Sequence, residues 1–402
     1  MADRGGATMQ NPVFIPGPTN LPEFLRKAVD MPTLDHRSSA FADLLHPAIA
    51  GVRQVIKTRE AEVFLFPSTG TGGWETAISN VLSAGDAVLA ARHGMFSQRW
   101  IDMCQRHGLA VEVVEAAWGA GLPADRYEEI LTADKEHRIK AVLATHNETA
   151  TGVVSDIAAV RRALDAAGHP ALLLVDGVSS VGSMDFCFDD WGVDIAVTGS
   201  QKGFMLPPGL AIVVFSARAM QACATAKLAR CFFDIRDMGR SNAAGLYPYT
   251  PPVGLIAGLR LAADSLLAEG LDVVFARHKR IADGVRAAAG AWGMPLCARS
   301  PDLYSQTVTT ICTPPGFNAT GIVTRAADVY QTAFGTGLGE LAGKVFRFGH
   351  LGQLSDMAAL SGLAVLEMCM ADLGLPVRLG SGVAAAQEVY RTTAVQPMKQ
   401  AA

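Results

Sequence analysis

VTGSQKGFMLPPGL, residues 197–210, begins at the end of one apolar run and leads through Pro207-Pro208 into the next. Between the two runs stands a single lysine, Lys202, preceded by Thr198-Gly199-Ser200-Gln201. A surface lysine laying its stem over apolar neighbours would explain it. So would a lysine enclosed in a pocket, where its amine forms an imine with a carbonyl compound. The neighbouring runs choose between the two.

Outward from this stretch, short apolar runs alternate with amphipathic segments. The runs are EVFLF (62–66), AVLAA (87–91), AVLAT (141–145), ALLLVD (171–176), DIAVT (194–198) and AIVVF (211–215). Helical spacing separates several of them, as in GWETAISNVLS (73–83) and DIAAVRRALDAAG (156–168). Strands apolar on both faces that alternate with helices predict an α/β fold around a mostly parallel sheet. From about residue 255 the pattern changes. LIAGLRLAADSLLAEG and DVVFARHKRIADGVRAAAGAWG predict two successive long helices. VTTICTPP, a helical GIVTRAADVYQTAF, KVFRFGHL and a last helix around SDMAALSGLAVLEMCMADLG follow. This predicts an N-terminal segment (1–24), a large domain (25–270) and a smaller C-terminal α+β domain (271–402).

Composition narrows the function classes. The 402 residues are 50% hydrophobic and 18% charged, which describes a globular chain with a large core. A net charge of −4 without a long basic block argues against nucleic acid as a partner. No apolar run reaches the roughly 18 residues of a membrane span. MADRGGATMQNPVF lacks the apolar core of a secretory signal, and MKQAA is not a peroxisomal address. The seven scattered cysteines read as reduced thiols of a cytoplasmic protein. The nine histidines form no zinc-binding pattern, so no metal is expected.

In open α/β sheets ligands gather beyond the carboxyl ends of the strands, so the residues after each run are the informative ones. EVFLF is followed by PSTGTGGWE, with Thr69, Gly70 and Thr71 ahead of a helix expected to begin near Gly72 or Gly73. Small residues at a helix start suit a phosphate, although a plain strand-to-helix turn explains them equally. AVLAA is followed by a loop carrying Phe96, which either stacks on a flat ring or anchors the loop. AVLAT runs into the polar cluster Thr145, His146, Asn147, Glu148 and Thr149. ALLLVD ends in Asp176, a carboxylate costly to bury unless paired or hydrogen-bonded. Lys202 follows 26 residues later, one strand–helix–strand step on. Phosphate donors, an aromatic face, polar groups, a buried acid and a lysine converge on one kind of ligand. It is flat, phosphorylated and nitrogen-containing, with a carbonyl group, as pyridoxal 5′-phosphate is.

These segments resemble the class V, fold-type I pyridoxal-phosphate aminotransferases, in their serine–glyoxylate and alanine–glyoxylate branch. The shared stretches include PGPTNLP (16–22), STGTGGWE (68–75), THNETATGV (145–153), LLVDGVSSVGS (173–183), GSQKGFMLPPG (199–209), YPYTPP (247–252) and GKVFRFGHLG (343–352). The stretch NPVFIPGPTNLP…MPTLDHRS (11–38) is similar to bacterial aspartate–glyoxylate aminotransferases of the β-hydroxyaspartate route. The resemblance implies that Lys202 forms the imine and carries the substrate's Cα proton. Asp176 would pair with the pyridinium nitrogen, Phe96 and Val178 would cover the two ring faces, and Thr149 would bond the phenolic oxygen. Thr69, Gly70, Thr71 and Gln201 would hold the phosphate. Tyr247 and Thr250 would reach the phosphate in a neighbouring subunit, which implies a homodimer. Arg347 would grip the substrate carboxylate, as the planar guanidinium suits. Many relatives carry Trp where Phe96 stands; Phe still stacks.

The reaction implied is a two-stage amino transfer to glyoxylate, giving glycine with ping-pong kinetics. Gly17 and Pro18 would wall a small pocket for glyoxylate. Aspartate as donor favours a second cation, for which Arg37 is the candidate and His36 a weaker one. Serine-using relatives carry an arginine there too, so serine is the alternative donor. A cysteine desulfurase would need a catalytic Cys on a loop, which neither Cys312 nor Cys369 provides. A nicotinamide dehydrogenase or a non-catalytic regulator would leave Lys202, Asp176 and Arg347 unexplained.

Overall fold

A computed structural model describes residues 12–393. MADRGGATMQ and MKQAA, read above for targeting signals, lie outside the described residues. The strands are β1 (Val13–Phe14), β2 (Glu62–Ser68), β3 (Ala87–Arg92), β4 (Ala110–Glu115), β5 (Ile139–Thr145), β6 (Asn147–Glu148), β7 (Val153–Val154), β8 (Leu172–Asp176), β9 (Ile195–Gly199), β10 (Gly209–Phe215), β11 (Val308–Cys312), β12 (Ala333–Thr336) and β13 (Val345–Gly349).

Seven of them form one sheet in the order β2-β10-β9-β8-β5-β3-β4. Every neighbouring pair is parallel except those of β10, which runs against both β2 and β9. All six apolar runs read from the sequence are strands of this sheet. Pro67 falls within β2, at the edge of the sheet, where its missing N–H costs no central ladder bond. The reversal into β10 is made by the stretch around Lys202. Ser200 N–H donates to Leu210 O at 3.0 Å, Ser200 Oγ donates to Pro207 O at 2.7 Å, and Leu210 N–H returns to Ser200 Oγ at 3.1 Å. One serine thus cinches a nine-residue loop, and Lys202 is caught inside it.

The second sheet has the order β1-β12-β13-β11. β13 runs antiparallel to both β11 and β12, in keeping with an α+β domain, but β1 was not expected. Val13 and Phe14 pair in parallel with Ala333 and Phe334. Phe14 packs 4.8 Å from Phe348 and 5.3 Å from Phe334, centroid to centroid. The N-terminal segment is thereby fixed to an element more than 300 residues away. Buried apolar side chains form two clusters, one between the large sheet and its helices and one around the small sheet.

Three local expectations change. The first helix after β2 spans Gly70–Val81, starting earlier than Gly72, because Gly73 N–H bonds Thr69 O at 3.0 Å and closes a turn sooner. Phe96 lies in the first turn of the helix Met95–Arg106 and not in a loop, for a reason given below. In GIVTRAADVYQTAF the helix stops at Tyr330, Gln331 takes a left-handed φ of 49°, and Ala333 starts β12.

Candidate active site

The carboxyl ends of β2, β3, β5, β8 and β9 meet around a cavity of about 200 Å³. Of the residues singled out in the sequence, Gly17, Pro18, Thr69, Gly70, Thr71 and Phe96 line it. So do Thr149, Asp176, Val178, Gln201 and Lys202.

Lys202 is only 9% exposed. Its ammonium donates to the carbonyl of Pro16. Gly17 lies against the lysine: a Cβ there would stand 2.5 Å from Lys202 Cδ and 2.6 Å from Nζ. Its φ of +103° also excludes an ordinary L-residue. Burial lowers the Lys202 pKa to about 8, helped by the positive Arg347 and opposed by Asp176. A buried amine so tuned is available as a nucleophile and a base near neutral pH.

Asp176 ends β8, and its Oδ1 accepts the Val178 N–H at 2.9 Å. Burial raises its pKa to about 7, against the Val178 bond and the Lys202 charge. A carboxylate held in this way gains from any cation placed beside it. The helix Gly70–Val81 opens with Thr69 in extended geometry and no side-chain cap. Its first N–H groups and positive end therefore remain for an anion. Gly70 admits Val178, whose Cγ2 would lie 2.5 Å from a Cβ at residue 70.

Arg347 is 7% exposed on β13. Its Nε donates to Thr336 O at 2.8 Å and its Nη1 to Thr149 O at 3.1 Å. These bonds aim the guanidinium and use two of its five N–H donors. Burial lowers its pKa to about 10, with Glu148 opposing and Arg99 adding to the fall. It remains a cation at any physiological pH. Glu148 takes backbone N–H groups of Phe96 and Ser97, which is why the helix begins at Met95 and carries Phe96.

Five expected residues are not among those lining the cavity: Arg347, which reaches its edge only through the Thr149 carbonyl, His36, and the three that follow. Tyr247 is buried, and its hydroxyl donates to Leu65 O. Thr250 is exposed. Arg37 is exposed in a turn held by its own N–H to Asp35 Oδ1 at 2.9 Å. Three residues given no role in the sequence reading do line the cavity, namely Trp74, Asn147 and Ser179. Asn147 stood in the polar cluster; Trp74 gave no signal beyond its helical spacing. The Trp74 indole N–H lies close enough to Asp176 to help lower that carboxyl's pKa. Asn147 Oδ1 and Gln201 Oε1 are buried without a hydrogen-bond partner among the described residues. Such atoms call for a polar ligand. Among the described residues no group of three or more His, Cys, Asp or Glu side chains comes together for a metal.

The cavity fits the ligand expected from the sequence. An uncapped helix start faces an anionic group, and Phe96 and Val178 offer apolar faces for a ring. Asp176 needs a cation, and a partly deprotonated Lys202 meets a carbonyl.

Residues 22–311 match the family described as Aminotransferase class-V. The chain is 70% identical to an L-aspartate–glyoxylate aminotransferase of Paracoccus denitrificans, over 98% of this chain and 100% of that one. It is 51% identical to a serine–glyoxylate aminotransferase of Hyphomicrobium methylovorum, over 96% and 95% of the two chains. Among solved structures, a pyridoxamine–pyruvate aminotransferase of Mesorhizobium loti superposes with a TM-score of 0.89 at 28% identity, covering 96% and 98% of the chains.

Proposed function

This chain is a member of the class-V aminotransferases, enzymes that depend on pyridoxal 5′-phosphate, and from that premise we propose that it moves the amino group of L-aspartate to glyoxylate, releasing oxaloacetate and glycine. The observation that carries the choice of substrates is the 70% identity, end to end, with the Paracoccus enzyme.

When bound, the cofactor supplies a protonated, electron-withdrawing ring that stabilises negative charge at the substrate's Cα. The chain's residues do the rest. Asp176 keeps a proton on the ring nitrogen through its carboxylate. Thr69, Gly70, Thr71 and Gln201 hold the phosphate at the helix start. Phe96 and Val178 confine the ring between two apolar surfaces, and Thr149 bonds the phenolic oxygen. Arg347 receives the substrate α-carboxylate as a two-pronged partner. Lys202, as a free amine, would take the proton from the substrate's Cα and hold it for return, acting as a general base and then an acid near its pKa of about 8. Gly17 and Pro18 leave a small space beside it, which suits an acceptor without a side chain.

On this reading the chain is a homodimer, and Tyr247, Thr250 and Arg37 act across the interface. Phe232 and Leu246, each 39% exposed beside this stretch, supply apolar surface for such a contact. The cofactor is held by residues 25–270, while 271–402 contribute Arg347; the segment 1–24 brings Gly17 and Pro18. Seven cysteines suit a cytoplasmic setting, where thiols stay reduced.

Serine is the second donor to consider, because of the 51% identity to the Hyphomicrobium enzyme. The test mixes cofactor-loaded protein with L-aspartate, then separately with L-serine, without an oxo acid. Loss of the visible absorption with aspartate, and its return with glycine formed on adding glyoxylate, is the expected result. Response to serine alone moves the enzyme to the serine–glyoxylate group, and response to neither refutes the proposal.

A further inference from the structure

Glu148 is fully buried behind Phe96 and Thr149, which line the cavity, and the roles above do not use it. Its Oε2 accepts the N–H of Phe96 at 3.0 Å and of Ser97 at 2.9 Å. Its Oε1 accepts the N–H of Ala150 at 3.1 Å and, at 3.3 Å, shares that of Phe96. All these partners are backbone N–H groups, which can only donate. Neither a carboxylic acid nor an amide satisfies them, because each would point a hydrogen at a donor. The hydrogen-bond geometry favours the carboxylate, against burial, which pushes the pKa of this group up.

That carboxylate stands at the positive end of the helix Met95–Arg106, which has no side-chain cap of its own. Gly94 precedes the helix, and a Cβ there would lie 2.2 Å from Glu148 Cδ. Its backbone is extended, with φ 176°, so only the contact with Glu148 demands glycine. On the other side, Glu148 O closes the following turn by accepting Gly152 N–H at 2.9 Å. The next residue in that turn, Thr149, presents its carbonyl to Arg347.

We infer that Glu148 is the positioning residue of this site, a buried carboxylate that ties the start of the Phe96 helix to the turn carrying Thr149, whose carbonyl receives Arg347 from β13. The ring wall and the carboxylate grip are thus set as one unit before any ligand arrives. This rests on the cofactor reading above.

The test uses full-length Glu148→Gln and Gly94→Ala proteins. The first keeps size and removes the acceptor pattern; the second keeps the acid and pushes it aside. Three readouts are taken: the dissociation constant for pyridoxal phosphate added to cofactor-free protein, the circular dichroism of the visible band, and KM against kcat for glyoxylate. Losing one or two bonds to a charged acceptor predicts about tenfold weaker cofactor binding and a similar rise in KM. The visible dichroism falls, while kcat changes much less because Lys202 and Asp176 are untouched. A purely structural cap would lower the melting temperature of both variants and leave affinity, dichroism and KM as in wild type; that result overturns the inference. If Glu148→Gln does not fold, Gly94→Ala decides on the same readouts. Wild-type protein that fails to take up pyridoxal phosphate would instead defeat the cofactor reading, and this inference with it.

Discussion

Replacing Asp176 by asparagine should make the cofactor-free protein more stable at pH 8 while nearly abolishing cofactor binding. Burial holds the Asp176 carboxyl at about 7, against an ordinary 3.8. At 1.36 kcal/mol per factor of ten, ionising it in the folded protein costs about 4 kcal/mol above pH 7. The sign follows from the raised value. The folded state keeps the proton to higher pH than the unfolded chain, so this group's stability is intact below about pH 4. It is lost progressively between about 4 and 7. An asparagine keeps the acceptor for Val178 N–H and never ionises. Its advantage over aspartate should therefore grow by about 3 kcal/mol between pH 5 and pH 8. Binding moves the other way. A ring cation about 4 Å from the carboxylate is worth about 4 kcal/mol at an effective dielectric near 20, or roughly a thousandfold in affinity. Urea unfolding of both cofactor-free proteins at the two pH values measures the first effect, and titration with pyridoxal phosphate the second. A variant that gains nothing over wild type between pH 5 and pH 8 would refute the account of Asp176 as a carboxylate waiting for a cation.

With Lys202 lowered to about 8, the rate of pyridoxal phosphate uptake by cofactor-free protein should rise with pH and level off above about 8, because only the free amine attacks a carbonyl; a flat stopped-flow profile would contradict this. Gly17→Ala sets a methyl against Lys202 and forces a left-handed residue at a cost of about 1–2 kcal/mol, so both melting temperature and cofactor content should drop. Arg347→Lys gives up the paired aim at Thr149 and Thr336, and KM should rise about tenfold or more for every carboxylate substrate, with the visible band unchanged. If Tyr247 reaches a neighbouring subunit's cofactor as proposed, Tyr247→Phe should weaken cofactor binding. If it costs only the Leu65 bond, about 1 kcal/mol of stability with affinity unchanged, the role across the interface is wrong.

The central strands were legible because a strand buried on both faces must be apolar throughout, and that is a local signal. The edge strand Ala110–Glu115 was not, since two glutamates break the apolar run of AVEVVE and only Val114 is fully buried. The polar residues stood out at the strand ends because each interrupts an apolar run. Phe96 was misplaced into a loop because its helix has no cap in its own sequence; the cap is Glu148, 52 residues on.

By itself the sequence determined the α/β pattern, the chemical types gathered at the strand ends, and through them the ligand. Those are properties of short segments, where the periodicity of burial and the identity of one residue suffice. Only the tertiary structure decided how the segments close on one another. Lys202 meets the Pro16 carbonyl and Gly17 across 186 residues of chain. Arg347 meets Thr149 across 198. Such contacts are fixed by packing of the two sheets and the N-terminal strand, and no local pattern encodes a partner that distant. The shifted ionisation of Asp176 and Lys202 has the same origin, because burial belongs to the assembled pocket and not to either residue's neighbours in sequence.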